Sequence, residues 1–167
     1  YSMASMLIEG LSQIPFVFRR IFDPKLTKFI YQNRIDELQR LLKKGILATF
    51  GGMIAIIGLS IILFPIVITA LVKNSDFKMS WEIFSILSVG ALFQCSFLPF
   101  SGLLVQGGYP GYNSILIFLF CITNTILNFL LIPFYGIYGA AFATALASVL
   151  FICYFKFFSF YLLKVKI

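Results

Sequence analysis

A membrane-embedded bundle of α-helices is the architecture to expect from this chain. Of its 167 residues, 60% are apolar and 11% charged, less than half the charged share from which a water-exposed surface is ordinarily built. Residues 45–72 and 83–155 form two runs without a single charge. A Lys, Arg or Asp at the centre of a bilayer costs about 2.5 to 3.5 kcal/mol, so such runs suit hydrocarbon. Eight of the thirteen Lys and Arg residues crowd between Arg19 and Lys44, beside apolar stretches. In that position a net charge of +7 reads as membrane topology and contact with anionic lipid headgroups, not as a nucleic-acid surface.

Taken in order, residues 1–18 are apolar enough to be the end of a truncated transmembrane helix. The chain opens at Tyr1 without an initiator Met and without the basic start and small-residue cleavage site of a signal peptide. It therefore reads as a fragment whose earlier helices are missing. Residues 19–44 read as a cytoplasmic linker carrying an amphipathic helix. Asp23 followed by Pro24 predicts an N-cap with proline in the first helical position. Ile35, Leu38, Leu41 and Leu42 then form an apolar stripe opposite Asp36, Glu37, Arg40, Lys43 and Lys44. Such a helix should lie along the membrane surface and lead into Gly45.

Residues 45–167 hold a four-helix transmembrane bundle. A crossing needs about 20 mostly apolar residues, and spans fit at about 46–72, 83–105, 114–133 and 136–156. Gly107, Gly108, Pro110 and Gly111 form a breaker cluster, and Pro133 with Gly136 bracket the last short turn. Four spans put the 19–44 segment, the 106–113 loop and the tail on one side. That side has eleven Lys and Arg, eight in 19–44 and three from 156 onward, against two in the 73–82 loop. The basic side, and with it the C-terminus, should be cytoplasmic. Trp81 and Tyr112 fall at the expected interfaces, where aromatic anchoring is common.

Chemistry of the enzymatic kind has little to stand on. There is no His, and Cys95, Cys121 and Cys153 lie in apolar spans at separations unlike any metal or redox spacing. Asp36 and Glu37 are the only adjacent acids, and they lie on a surface helix.

From Asn124 to Ser148 the chain reads NTILNFLLIPFYGIYGAAFATALAS: an Asn-bearing helix, a Leu-Ile-Pro exit, a tight Tyr-Gly turn and a Gly-Ala-Ala return. This run resembles the polysaccharide-export flippases of the multidrug, oligosaccharidyl-lipid and polysaccharide exporter superfamily. The cytoplasmic Asp-Pro, the amphipathic helix and the four spans are similar in order to that family's last helices. The resemblance implies the C-terminal part of a two-halved exporter of about twelve helices in a bacterial inner membrane. Its substrate would be an undecaprenyl-diphosphate-linked oligosaccharide repeat unit, flipped for O-antigen, capsule or exopolysaccharide export. The missing N-terminal half of the same transporter and the surrounding membrane lipids would be its partners. The resemblance implies no cofactor; the wider superfamily uses proton or sodium gradients, and no motif here assigns an ion.

Carrying a sugar and a diphosphate through hydrocarbon requires a polar lining, because each unpaired polar group there costs several kcal/mol. Glu9 and Gln13 stand four residues apart on one helical face. Glu9 also lies ten residues from Arg19, near mid-depth, where a carboxylate points to an ion or sugar pathway. Arg19 and Arg20 are candidate diphosphate contacts at the cytoplasmic mouth, with positive-inside anchoring as the plainer role. Asn124 and Asn128, at i and i+4, could line a sugar path or hold helices together. Gln94 and Ser96 add polarity to the second span. Gly136, Gly139, Ala140, Ala143 and Ala147 offer a small-residue packing surface, while Pro65 and Pro99 would kink their spans. The alternatives to flipping are a multidrug exporter of the same superfamily, a membrane-embedded transferase acting on lipid-linked sugars, and a scaffold without transport.

Overall fold

The computed structural model describes residues 2–71 and 77–165, and these are helical almost throughout. Helix α1 spans Ser2–Tyr31, α2 Ile35–Leu71 and α3 Phe77–Phe97. A 3-10 turn at Leu98–Phe100 and the short α4, Leu103–Gln106, lead to the 54-residue α5, Pro110–Leu163. No strand occurs among the described residues.

Three stretches are long and apolar enough to cross a membrane: Ile35–Ile66, Met79–Gln106 and Pro110–Leu163. The last, at 1.5 Å per residue, would be about 80 Å long if straight, far beyond a hydrocarbon core of about 30 Å. It is folded back at Gly136, whose φ of 56° and ψ of −129° are non-helical. Contacts between its arms fix the reversal. Phe120 packs edge-on against Phe151 at 5.6 Å between centroids, Tyr112 meets Phe158, and the Thr123 and Tyr154 hydroxyls are 3.1 Å apart. The arms, 110–135 and 137–163, therefore run antiparallel. Pro133 remains within the helix, so Gly136 makes the turn, and it has open space where a Cβ would lie. Its role is the conformational one expected of a residue bracketing the last short turn, and not the packing role that the small-residue pattern also suggested.

The helix expected to begin at Asp23 and Pro24 does not begin there, because α1 runs through Pro15 and Pro24 to Tyr31. Asp23 spends a carboxylate oxygen on Arg19, 3.3 Å away, rather than on a backbone N–H. The break comes at Asn33, in the left-handed region at φ 54°. There the Asn33 N–H donates to the Ile30 carbonyl and the Arg34 N–H to that of Phe29, the paired bonds that close a helix around a left-handed residue. Residues 19–44 are thus divided between α1 and α2, and α2 continues through Gly45 without interruption.

Packing is layered from end to end. At the basic end, Leu26, Leu38, Leu42, Phe100, Leu103, Leu104 and Phe155 form one buried cluster with Val165. Met53, Ile57, Ala91 and Cys95 form a second, and Phe64, Ile83, Phe84 and Ala141 belong to a third at the opposite end, where the Phe64 and Phe84 rings stack at 4.8 Å. Lipid tails are as apolar as these side chains, so contact quality and close backbone approach hold such helices together. Helix α3 and the second arm of α5 approach closely. A Cβ on Gly90 would lie 2.5 Å from the Ala145 Cα, and Gly139, Ala143 and Ala147 are buried nearby on the same arm. Many large apolar side chains point outward, Phe129 and Phe134 being 80% and 82% exposed, as lipid-facing surfaces require.

Candidate functional site

Several polar side chains, among them the exposed Glu9, come together at one cavity. A cavity of about 460 Å3 lies between α1, α3 and the second arm of α5. Ser5, Glu9 and Ser12 line it from α1, Gln94 from α3 and Thr144 from α5, against apolar walls that include Leu87, Ala91 and Leu98. The α1 residues fall at helical steps of four and three, so one face of that helix presents a carboxylate flanked by two hydroxyls.

Each element aims its residue for an identifiable reason. Burial of Ala4 with Phe84 and Leu87 in one apolar cluster, to which Ile8 and Leu11 add partly buried contacts, fixes the rotation of α1. The close approach at Gly90 seats the second arm of α5 against α3 and brings Ser148 within 3.2 Å of Gln94. There the Ser148 hydroxyl donates to the Gln94 Oε1 atom. Ser12 and Thr144 also donate back to their own helix, to the carbonyls of Glu9 and Ala140, at 2.7 and 3.0 Å. Among the described residues the ion pairs are Arg19 with Asp23 and Arg34 with Glu37, and Glu9 is in neither.

Gln13, although four residues from Glu9, is exposed and does not line the cavity. Arg19 pairs with Asp23 and sits over the Phe16 ring, 5.9 Å from its centroid. Arg20 is exposed. These arginines lie about 15 Å along α1 from Glu9, toward the basic end. Asn124 and Asn128 lie on the first arm of α5, away from the cavity. The Asn128 amide donates to the Asn124 carbonyl at 3.0 Å and to the Asn124 side-chain oxygen. Both bonds run from Asn128 to Asn124 within one helix. Ser96, buried, donates to the Leu92 carbonyl at 2.6 Å.

Sequence reasoning did not find Ser5, Ser12 and Thr144, and it could not say which way Gln94 faced. The first two were within reach, since they share a helical face with Glu9. A second polar contact was also missed. The Tyr138 hydroxyl, just after the Gly136 turn, donates to Glu82 Oε2 at 2.6 Å and ties that turn to the beginning of α3. The signal for it, an acid at the lip of an apolar span, was present in the sequence.

Chemically, the cavity offers one carboxylate, an amide and three hydroxyls within apolar walls. Such a set can take up a proton or a monovalent cation, or accept and donate hydrogen bonds to sugar hydroxyls. Among the described residues no group of three or more His, Cys, Asp or Glu comes together to hold a metal ion. The chain matches no protein-family model, no curated protein and no solved structure.

Proposed function

We propose that this chain forms part of a membrane transporter that flips lipid-linked oligosaccharide repeat units across a bacterial inner membrane. Its substrate class is an undecaprenyl-diphosphate-linked sugar, and it works by exposing one polar cavity to each leaflet in turn, without covalent chemistry. The observation that carries this reading is the Glu9 cavity, an apolar-walled pocket between three helices that bears one acid, one amide and three hydroxyls in a bundle otherwise built for hydrocarbon. A carboxylate in such a setting is costly to keep unless it works. In this reading Glu9 exchanges a proton or sodium ion as the cavity changes its exposure, while Ser12, Gln94 and Thr144 replace water around sugar hydroxyls. Arg19 and Arg20 attract the diphosphate toward the basic end. Gln13, Asn124 and Asn128, outside the cavity, contribute in this reading only where other parts of a larger transporter face them.

The test is transport by the protein in its native membrane, with a lipid-linked oligosaccharide in one arm and a cationic drug in the other. Glu9→Gln should reduce sugar-lipid flipping by about ten-fold or more and flatten its pH or sodium dependence, with helix content and melting temperature close to the parent. Normal flipping with unchanged ion dependence rejects the role of Glu9. Drug efflux without sugar-lipid flipping would move the protein to the multidrug branch of the same transport chemistry.

A further inference from the structure

We propose that the cleft between α1 and α2 is a binding site for an anionic phospholipid, with an acyl chain seated between the helices and the phosphate held by Arg40 and Lys44. The cleft has a volume of about 400 Å3. Its walls follow the ridges of the two helices in steps of four: Ile14, Phe18 and Phe22 on α1 face Ala48, Gly52 and Ile56 on α2. Bulky side chains on the α1 wall and the small Gly45, Ala48 and Gly52 on the α2 wall leave a slot between helices that pack mainly on α3 and its following turn rather than on each other.

The slot offers almost nothing to a polar guest. Thr49 is its one hydroxyl-bearing residue, and that hydroxyl is within 2.8 to 3.1 Å of the carbonyls of Gly45, Ile46 and Ser96. Hydrocarbon is therefore the fitting occupant.

At the basic end the chemistry changes abruptly. Phe22 and Gly45 also line an adjoining groove of about 440 Å3, whose other walls include Phe29, Glu37, Arg40 and Lys44. Arg40 and Lys44 stand at i and i+4 on one face of α2. Glu37 is the single acid in that groove, and its carboxylate is paired with Arg34. Neither Arg40 nor Lys44 takes part in an ion pair among the described residues. An apolar slot that opens onto two uncompensated cations is complementary to a molecule with a hydrocarbon chain and an anionic head. Basic pockets between transmembrane helices hold such headgroups.

The experiment uses the full chain, purified in mild detergent, stripped of lipid and offered equal amounts of phosphatidylglycerol and phosphatidylcholine, with retained lipid measured by native mass spectrometry. Phosphatidylglycerol should be retained preferentially. Arg40→Gln with Lys44→Gln should lower its retention on the order of ten-fold, to the level of phosphatidylcholine. Gly52→Leu fills the slot from a position where an added Cβ meets nothing within 4 Å, and it should lower retention of both lipids. Ala48→Leu, on the same wall, gives the same reading if Gly52→Leu does not fold by circular dichroism. Lys28→Gln, an exposed charge outside both the slot and the groove, should leave retention of both lipids unchanged. A headgroup preference that survives loss of Arg40 and Lys44, or retention indifferent to a filled slot, overturns the proposal. So does displacement of the lipid by millimolar inorganic phosphate, which would make this a free-anion site. A dimer that disappears with Gly52→Leu would show a second copy in the slot and overturn it equally.

Discussion

Pro65 lies within α2 and has no backbone N–H, so the carbonyl four residues back, that of Ile61, loses its usual helical donor. Trp81 supplies a replacement from α3: its indole N–H donates to the Ile61 oxygen at 3.2 Å. Position in the sequence suggested an interfacial anchor, and the structure gives Trp81 this cross-helix bond as well. In hydrocarbon an unpaired carbonyl has no water to turn to, and a helix-to-helix hydrogen bond in a membrane is worth about 0.6 to 1.7 kcal/mol. Trp81→Phe should therefore lower stability by about 1 kcal/mol in detergent unfolding. In a Pro65→Ala background the restored N–H takes over the carbonyl, and the same Trp81→Phe change should cost much less. An equal loss in both backgrounds would show that the indole acts through packing alone, because a double-mutant cycle isolates the coupling of the pair. Thr49 plays a related part at the end of α3, where its hydroxyl lies 2.9 Å from the Ser96 carbonyl in the helix's last turn.

Helix α5 depends on two glycines for different reasons, and substitution separates them. Gly136 adopts φ 56° and ψ −129° with open space around its missing Cβ. Gly136→Ala should thus cost about 1 to 3 kcal/mol through backbone strain alone. Gly90, in α3, is helical and meets the Ala145 backbone, so Gly90→Leu should separate the two elements through overpacking, typically at about 1 to 3 kcal/mol or more. Gly51→Ala and Gly58→Ala, where an added Cβ meets nothing within 4 Å, should be neutral or slightly stabilising. Melting temperatures of these variants in detergent check the ranking, and a Gly136→Ala protein as stable as Gly51→Ala would contradict the strained turn. At this scale the sequence was legible wherever composition decides structure. Uncharged runs are helical, and the Tyr-Gly turn falls at Gly136. Local signals were ambiguous where two residues competed for one boundary. Asp23 with Pro24 has the form of a helix start, yet Arg19 claims the carboxylate and Asn33 closes the helix ten residues later. Facing was illegible for Gln94 and Thr144, because the rotation of a helix that is apolar all round is set by its neighbours. Glu9 was visible from the first because one carboxylate among apolar residues needs no alignment to stand out.

Across the whole molecule, the distribution of charge and the fold agree on a polarity. The Thr27 hydroxyl donates to Gln106 at 2.7 Å, the Gln39 amide reaches the Lys164 carbonyl at 3.4 Å, and Val165 is buried with Leu38 and Leu42. The basic segment 19–44, the 106–113 loop and the C-terminal tail therefore share one end of the bundle, and they hold ten of the eleven Lys and Arg among the described residues. Glu82, Tyr138 and the Gly136 turn belong to the other end. Lys and Arg close to transmembrane ends are retained on the cytoplasmic side, so the basic end should face inward and the turn outward. In a background with Cys95, Cys121 and Cys153 replaced, a cysteine at the exposed Tyr135 should react with a membrane-impermeant thiol reagent added to intact cells. Cysteines at Lys28 or Lys164 should react only after the membrane is opened. Because Lys28 and Lys164 are placed at one end by direct contacts of their neighbours, they must change together. Labelling of both from outside would invert the orientation while keeping the fold, whereas labelling of one alone would break the antiparallel arrangement of the arms of α5.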